Sequence, residues 1–321
     1  MSVSEFELID RYFRRGGARR DDVVIGIGDD GAVLRPRPDH ELVVVTDTIV
    51  PGVHFPSTIT AADVGYRALA VNLSDLAAMG AEPAWCSLAL TLPQADEAWL
   101  RGFAAGLLEL AERFDMQLVG GDTTRGPLTV TVTAHGWVPA GGALRRAGAC
   151  AGDGVYVSGT LGDAAGGLRV LMGVTECDAD SRAVLTRRFL QPEPRVALGQ
   201  FLRGVASSAI DVSDGLAADL LHVLEASGVG AEVRLDRLPI SASLRACERA
   251  EAAIERALAG GDDYELCFTV PPTRESALRE WRPDRGVSLT RIGTVVARPG
   301  LRFVNADGVV VERHISGYAH F

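Results

Sequence analysis

The chain has 321 residues, of which 47% are apolar and 23% are charged, so it is long enough for about two folded domains and is not disordered. Its net charge of −10 argues against a protein that holds nucleic acid through the phosphates. All 32 basic residues are arginine, and the absence of lysine excludes a P-loop lysine, a Schiff-base lysine and a pyridoxal-phosphate lysine.

Neither a membrane segment nor a secretion signal is evident in the sequence. No apolar run approaches the ~18 residues of a membrane span, and the first residues lack the basic-then-apolar pattern of a signal peptide. The cysteines are odd in number, far apart and without a C-x-x-C pair, which predicts reduced, mostly buried thiols. They are Cys86, Cys150, Cys177, Cys247 and Cys267. We therefore expect a soluble cytoplasmic protein with no membrane partner.

Apolar runs rich in Val, Ile and Leu alternate with helical stretches, which predicts a mixed α/β (α+β) fold. The predicted strands are 23–27, 42–46, 84–92, 116–119 and 128–138, followed by 155–158, 209–212, 231–235, 265–270 and 287–296. The predicted helices are 62–79, 96–114 and 216–226. Glycines and a basic pair interrupt this pattern between residues 140 and 154, so we expect two domains, 1–140 and 150–321.

Aspartates follow four apolar runs at the points where strands are predicted to end. The four segments are 25–30, 43–48, 118–124 and 209–215. A single aspartate in such a place is typical of a turn or a helix cap. Four such segments, flanked by Gly, Ser and Thr and without nearby His or Cys, instead favour a hard cation such as Mg²⁺. Asp75 lies on a predicted helix that is otherwise nearly all apolar, so we interpret it as a further ligand rather than part of an exposed polar stripe.

Glycine-rich segments and arginines suit the binding of phosphate. Residues 120–124 and 158–163 allow backbone N–H groups to turn toward an anion, although tight turns also explain both segments. Arg145 and Arg146 either neutralise phosphate oxygens or lie exposed in a linker. His54 follows the Asp47 strand closely enough to face the same site. The residues alone indicate an enzyme that uses Mg²⁺ and a polyphosphate nucleotide without a P-loop, and they leave the acceptor open.

Several longer strings occur in order along the chain. They are GDD (28–30), TDT with GVHF (46–48 and 52–55), AVNLSDLAAMGAEP (70–83), GGDTTRGP (120–127), VSGTLGDA (157–164), IDVSDGL (210–216) and GGDDYELCF (260–268). Together they resemble the thiamine-monophosphate kinase family, and the resemblance runs from Glu5 to the terminal Phe321. It implies a two-domain fold of the aminoimidazole-ribonucleotide synthetase type, with an N-terminal domain that binds ATP and Mg²⁺ and forms a homodimer through its sheet. The C-terminal α/β domain would complete the substrate site.

The resemblance also implies an activity and a set of site residues. The activity is ATP-dependent phosphorylation of thiamine phosphate to thiamine diphosphate, which we expect to proceed by direct in-line transfer. The residues that match Mg²⁺ ligands are Asp30, Thr46, Asp47, Asp75, Asp122, Asp211 and Asp214. Those that match ATP contacts are Gly121, Asp122, Arg146 and Ser213, and those that match substrate contacts are His54, Asp262 and Tyr318. Asp262 stands where the family more often has glutamate.

Two other functions compete with this interpretation. One is another ATP-dependent enzyme of the same superfamily, and the other is a regulator that binds nucleotide and Mg²⁺ without catalysis. Loss of ligand aspartates would mark such a regulator, and all of the expected aspartates are present.

Overall fold

Two large sheets, one in each of two compact units, organise the chain. The computed structural model describes residues 5–14, 16–281 and 287–313. Unit 1 comprises Met1–Leu76 and Ala81–Gly141, and unit 2 comprises Ala77–Gly80 and Gly142–Phe321. The mixed α/β class predicted from the sequence is confirmed. Among the described residues, no helix combines the length and apolar character needed to cross a bilayer.

Unit 1 contains a four-stranded sheet in the order β3-β6-β4-β5, in which only β4 and β5 are parallel neighbours. A short hairpin, β1 and β2, precedes the sheet in the chain. The elements of this unit are α1 (Glu5–Tyr12), β1 (Val23–Ile25), β2 (Val33–Leu34), β3 (His40–Ile49), α2 (Ala61–Ala78), β4 (Glu82–Leu92), α3 (Glu97–Arg113), β5 (Gln117–Arg125) and β6 (Thr129–Pro139).

The helix α3 follows directly from its sequence pattern. Leu100, Phe103, Leu107 and Leu110 recur at helical spacing, and all four side chains are fully buried. Asp96 caps the helix, because its side chain accepts hydrogen bonds from the backbone N–H groups of residues 98 and 99. Burial of this apolar face anchors the helix that leads into β5, and β5 carries one of the aspartate segments.

Unit 2 contains a seven-stranded sheet in the order β13-β12-β9-β11-β7-β10-β8, in which β12 and β9 are the parallel pair. Its strands are β7 (Gly154–Ser158), β8 (Ser208–Asp211), β9 (Gly230–Arg234), β10 (Leu266–Val270), β11 (Leu289–Val296), β12 (Gly300–Val304) and β13 (Val310–Val311). Its helices are α4 (Asp163–Leu171), α5 (Ala179–Leu190), α6 (Val196–Leu202), α7 (Leu216–Ser227), α8 (Ala242–Cys247) and α9 (Ala250–Ala259). A core of buried aliphatic side chains from β7, β9, β11 and α7 holds this unit together.

One sequence expectation about the cysteines is wrong. Cys177 and Cys247 form a disulfide rather than two reduced thiols, because the segment after α4 returns to the end of α8 and brings their Cα atoms to 5.1 Å. That separation suits a disulfide. The two cysteines are 70 positions apart, so spacing alone gave no sign of the pair. Cys86 and Cys267 are buried free thiols, as expected, whereas Cys150 is free and exposed.

Removing this disulfide is expected to destabilise unit 2. A cross-link that closes a loop of this length restricts the unfolded chain, so Cys247→Ser should lower the unfolding free energy by about 2–4 kcal/mol. Scanning calorimetry of the oxidised full-length protein would measure the change, with Cys150→Ser as the matched control. Reductant should bring the wild type to the Cys247→Ser transition temperature, and an unchanged wild-type transition would contradict the prediction.

Candidate active site

A cavity of about 1270 Å³ in unit 1 brings two of the predicted aspartates together. Asp30 lies in the loop between β1 and β2, and Asp122 lies on β5 next to the glycine pair Gly120 and Gly121. Both carboxylate residues are exposed rather than buried, so each can reach a ligand or solvent. Residues of α1, together with Arg14 just after it, complete the lining. The cavity therefore combines oxygen donors for a cation with a cationic side chain for an anion.

Gly121 is needed at this position for two reasons. Its φ of +148° is a backbone conformation that residues with a side chain rarely adopt. A Cβ atom here would also overlap the carbonyl oxygen of Leu88 on the neighbouring strand β4. Only glycine lets β5 approach β4 this closely just before Asp122, and the position of Asp122 depends on that approach.

A polar network holds the hairpin that carries the Asp30 loop. Trp85 Nε1 donates to Asp22 Oδ1 at 2.9 Å, and Arg20 Nη2 lies 2.9 Å from Asp22 Oδ2. Burial raises the pKa of Asp22, but the bonds from Arg20 and Trp85 outweigh burial and leave it below its ordinary value. Val23 and Leu34 pack against a buried cluster that includes Trp85 and Trp137. The hairpin that carries the Asp30 loop is therefore held by charged hydrogen bonds as well as by apolar packing.

Strand β3 and the turn after it carry three more of the predicted residues. Thr46 is exposed, and its Oγ1 lies 3.0 Å from Thr133 Oγ1 on β6. Because neighbouring side chains on a strand point to opposite faces, the side chain of Asp47 lies on the other face of the sheet. In the turn, His54 Nδ1 accepts a hydrogen bond from the Val50 N–H at 3.1 Å, which places a ring proton on Nε2 when the imidazole is neutral. These three residues are not part of the cavity lining.

Asp75 lies on α2, and it is half-buried although most of the residues around it on the helix are apolar. Its neighbour one turn earlier, Asn72, is fully buried, and Asn72 Nδ2 donates to the Ala68 carbonyl at 2.9 Å. Asn72 Oδ1 has no hydrogen-bond partner, so a buried acceptor lies near Asp75 on the same helix face. Asp75 also lies outside the cavity lining.

In unit 2, the loop after β8 groups Asp211, Ser213 and Asp214 around a residue that the sequence analysis missed. Asp219, on the first turn of α7, is 3% exposed, and its Oδ2 accepts hydrogen bonds from the N–H groups of Ser213 and Asp214 at 3.1 Å each. Burial, followed by the charge of Asp211, raises the pKa of Asp219 to about 8. Concentrated negative charge of this kind suits a cation. A carboxylate inside an apolar helix was the available signal.

The GGDDYEL segment approaches the same loop through its backbone. The Asp262 N–H donates to the Ser213 carbonyl at 2.8 Å, and the Tyr264 N–H donates to the Val212 carbonyl at 2.9 Å. Asp262 and Ser213, which were predicted to contact different molecules, are therefore neighbours.

A buried charge cluster lies beneath the GGDDYEL segment, and none of its members was predicted. Glu265 is fully buried, and each of its oxygens lies 2.7 Å from a guanidinium nitrogen, Oε1 from Arg188 and Oε2 from Arg195. Ser158 also donates to Glu265. A carboxylate directly before an apolar strand was the signal in the sequence, because such a group is buried only when it is paired.

Two predicted residues remain to be placed. Arg146 is exposed in the segment that opens unit 2, and its carbonyl accepts a hydrogen bond from Ser227 Oγ at 3.3 Å. Tyr318 lies outside the described residues. Within the part of the chain that the structure describes, no three His, Cys, Asp or Glu side chains are arranged to hold a metal ion between them.

The chain matches family models for two domains over most of its length. It matches the AIR synthase related protein N-terminal domain over residues 28–138 and the C-terminal domain over residues 151–304. Thiamine-monophosphate kinase of Escherichia coli strain K12 is 51% identical to it over 323 residues, which cover 100% of this chain and 99% of the relative.

Solved structures agree with this relationship. A crystal structure of thiamine-monophosphate kinase from Stenotrophomonas maltophilia K279a has a TM-score of 0.88 and 50% identity, and the match covers 97% of this chain and 99% of that one. A structure of AaThiL complexed with AMPPCP and TMP has a TM-score of 0.78 and 32% identity, with 100% and 99% coverage. By sequence, fold and domain order, the chain belongs to the thiamine-monophosphate kinase family of AIR synthase related proteins.

Proposed function

We propose that this chain transfers the γ-phosphoryl group of ATP to thiamine phosphate and forms thiamine diphosphate. The observation that carries the proposal is the cavity of unit 1, where Asp30, Gly121 and Asp122 meet in a chain 51% identical to a thiamine-monophosphate kinase over its whole length. A relative with 32% identity was solved with AMPPCP and TMP, which supports ATP and thiamine phosphate as the two substrates.

The site residues are proposed to divide into three groups. Mg²⁺ would be held by Asp30, Thr46, Asp47, Asp75, Asp122, Asp211 and Asp214. ATP would contact Gly121, Asp122, Arg146 and Ser213, and thiamine phosphate would contact His54, Asp262 and Tyr318. Each unit supplies members of more than one group.

The chemistry of the acceptor explains why no general base stands among these residues. A phosphate monoester has a second pKa near 6, so its attacking oxygen is already mostly ionised at neutral pH. The protein then has to position two polyanions and offset their repulsion, for which arginines and backbone N–H groups are suited. We propose direct in-line transfer, since the aspartates are committed to the cation and are poor nucleophiles in that state.

The donor set fits Mg²⁺. Every proposed ligand offers oxygen, and Mg²⁺ takes one or two carboxylates together with phosphate oxygens and water, so three carboxylates around one point are not required. Burial and then the charges of Asp211 and Asp214 raise the pKa of Asp219, and a cation would offset the part that comes from charge. When bound, Mg²⁺ would neutralise charge on the transferring phosphoryl group.

A direct assay tests the proposed function. Purified full-length protein is incubated with Mg·ATP and thiamine phosphate, and thiamine diphosphate and ADP are measured over time. Equal amounts of both products are expected. ADP formation that requires a different acceptor would favour another ATP-dependent enzyme of the superfamily, and nucleotide binding without turnover would favour the regulator.

We also propose that the protein acts in the cytoplasm as a homodimer formed through the sheet of unit 1. Strand β3 lies at the edge of this sheet, and from Leu42 onward its exposed positions alternate with buried or half-buried ones. The exposed side chains include Leu42 at 46% and Val44 at 54%, followed by Thr46 and Thr48. Neighbouring apolar side chains left in water favour association with a second copy.

Charged substitutions on β3 should disrupt the dimer. The double variant Leu42→Arg/Val44→Arg brings like charges together across a two-fold axis, so sedimentation should show mostly monomer where the wild type shows dimer. Val184→Arg, at an exposed valine of α5, is the matched control and should remain dimeric. A double variant that sediments like the wild type would place the interface elsewhere.

A further inference from the structure

The segment that carries Asp262 alternates between two environments of unit 2. Asp262 and Tyr264 are half-buried, whereas Asp263 is 1% exposed and Glu265 is fully buried. The half-buried pair is partly accessible to solvent, and the buried pair faces the interior of the unit. One side of the segment can therefore contact solvent or a ligand, and the other side contacts only the interior of the unit.

The backbone of this segment adopts a conformation that needs external support. Asp262 has φ +68° and Tyr264 has φ +50°, both in the left-handed region that residues other than glycine seldom occupy. Such conformations persist only where surrounding contacts determine them, and they are often found where a side chain is held for function. Two left-handed residues within three positions therefore require contacts that hold the backbone in this conformation, and we call the residues that make these contacts anchors.

Asp263 is the first anchor. Its Oδ2 accepts from the Gly162 N–H at 2.5 Å and its Oδ1 from the Ala164 N–H at 3.1 Å, so one carboxylate spans the first turn of α4. The residue at the N-cap position of this helix is Gly162, which has no side chain that could accept hydrogen bonds from these N–H groups. Asp263 therefore caps a helix from a distant part of the chain, and the cap fixes the backbone between Asp262 and Tyr264.

Tyr264 is the second anchor. Its hydroxyl donates to Asp262 Oδ1 at 3.2 Å, two residues back along the segment. A hydrogen bond of this kind restricts rotation of the carboxylate. Together with the bonds from the Asp262 and Tyr264 N–H groups to residues 213 and 212, it determines where the carboxylate lies.

We propose that Asp263 and Tyr264 are positioning residues that set the Asp262 carboxylate for thiamine phosphate. Asp263 holds the left-handed backbone from the interior, and Tyr264 orients the carboxylate itself. The inference rests on the proposed function, in which Asp262 contacts that substrate. Neither residue is among the proposed ATP contacts, so we expect the KM for thiamine phosphate to respond more than the KM for ATP.

Tyr264→Phe and Asp263→Asn test the inference in the full-length protein. Each should raise the KM for thiamine phosphate by about tenfold or more, as expected for the loss of a hydrogen bond that involves a charged group. A roughly tenfold change in KM corresponds to the loss of one such hydrogen bond. Because neither variant removes a proposed contact to ATP, the KM for ATP should change by less than about twofold. Circular dichroism and melting temperature are measured alongside, and Tyr264→Phe keeps the ring and its packing if Asp263→Asn folds poorly.

Matched controls exist in the same unit. Tyr156→Phe removes the hydroxyl of another half-buried tyrosine, which lies near the Glu275 carboxylate, and Asp178→Asn alters an ordinary helix cap on α5. Both controls should leave both KM values unchanged. Equal changes in the two KM values, or none, in Tyr264→Phe would overturn the inference while the proposed function stands. A wild-type protein that turns over no thiamine phosphate would overturn the proposed function itself.

Discussion

Replacing Asp30 or Asp122 by asparagine is expected to reduce turnover of Mg·ATP and thiamine phosphate by at least about 100-fold. Both residues line the same cavity, where the phosphates of two polyanions are proposed to meet a cation. Asparagine keeps the size of the side chain but removes its charge. Loss of one ligand to a phosphate-bridging cation costs several kcal/mol of transition-state stabilisation, and each ~1.4 kcal/mol is a factor of ten in rate.

The measurement is the rate as a function of Mg²⁺ concentration, with circular dichroism to verify folding. Part of the lost activity should return at high Mg²⁺, because a weakened site is filled again by mass action. Asp21→Asn is the matched control, since it removes the same charge from an exposed position of the same unit. Rates close to the wild type at ordinary Mg²⁺ would remove that aspartate from the ligand set.

Glu265→Gln is expected to lower the unfolding free energy by about 3–5 kcal/mol, the usual cost of leaving a buried charge without its partner. In the wild type, one fully buried carboxylate faces both Arg188 and Arg195. The variant would leave two guanidinium groups close together with no negative charge between them. Truncation of a single arginine, as in Arg195→Met, should be partly compensated by the other.

Calorimetric unfolding of Glu265→Gln, Arg195→Met and the double variant would measure the coupling. The double variant should be less destabilised than the sum of the single variants. Asp236→Asn breaks an exposed pair with Arg234 in the same unit, and exposed pairs contribute little to stability. If Glu265→Gln unfolds no more easily than this control, the cluster is not a stabilising element.

The same cluster predicts how stability depends on acid. Burial raises the pKa of Glu265, but Arg195 and Arg188 outweigh burial and bring it below its ordinary value of 4.5. The resulting stabilisation is therefore present above pH 4.5 and is lost as the pH falls toward the lowered pKa. Between pH 6 and pH 3, the wild type should lose more stability than Glu265→Gln does.

Elements with strong periodicity were predictable from the sequence, and elements that depend on distant partners were not. The apolar face of α3 is visible in the spacing of Leu100, Phe103 and Leu107, and the structure confirms the helix. The helix α4 was missed because Gly166 and Gly167 disfavour an isolated helix. In the folded chain a side chain at Gly167 would overlap the Leu185 carbonyl, so glycine permits the close contact of α4 and α5.

The candidate site divides in a similar way. Aspartates at strand ends identified Asp30 and Asp122 as candidates, and the structure places both in one cavity. The partners of Asp219, Asp263 and Glu265 were not predictable, because they are backbone N–H groups and arginines that only the fold brings near. The disulfide was missed for the same reason, since its two cysteines are 70 positions apart.

The arrangement of β7 in its sheet has a consequence for how the protein is synthesised. Both strands that pair with β7, namely β10 and β11, come much later in the chain. The Ser158 hydroxyl at the end of β7 likewise donates its hydrogen bond to Glu265, which is 107 positions further on. A nascent chain that has just released β7 from the ribosome has neither of its neighbours. Assembly of β7 into its sheet therefore requires strands that are synthesised much later, and pairings of such long range fold slowly. Until β10 emerges from the ribosome, β7 is an exposed strand that a chaperone can bind. A nonsense mutation before residue 266 would remove β10 and β11, so the product would lack both strands that pair with β7 in the seven-stranded sheet.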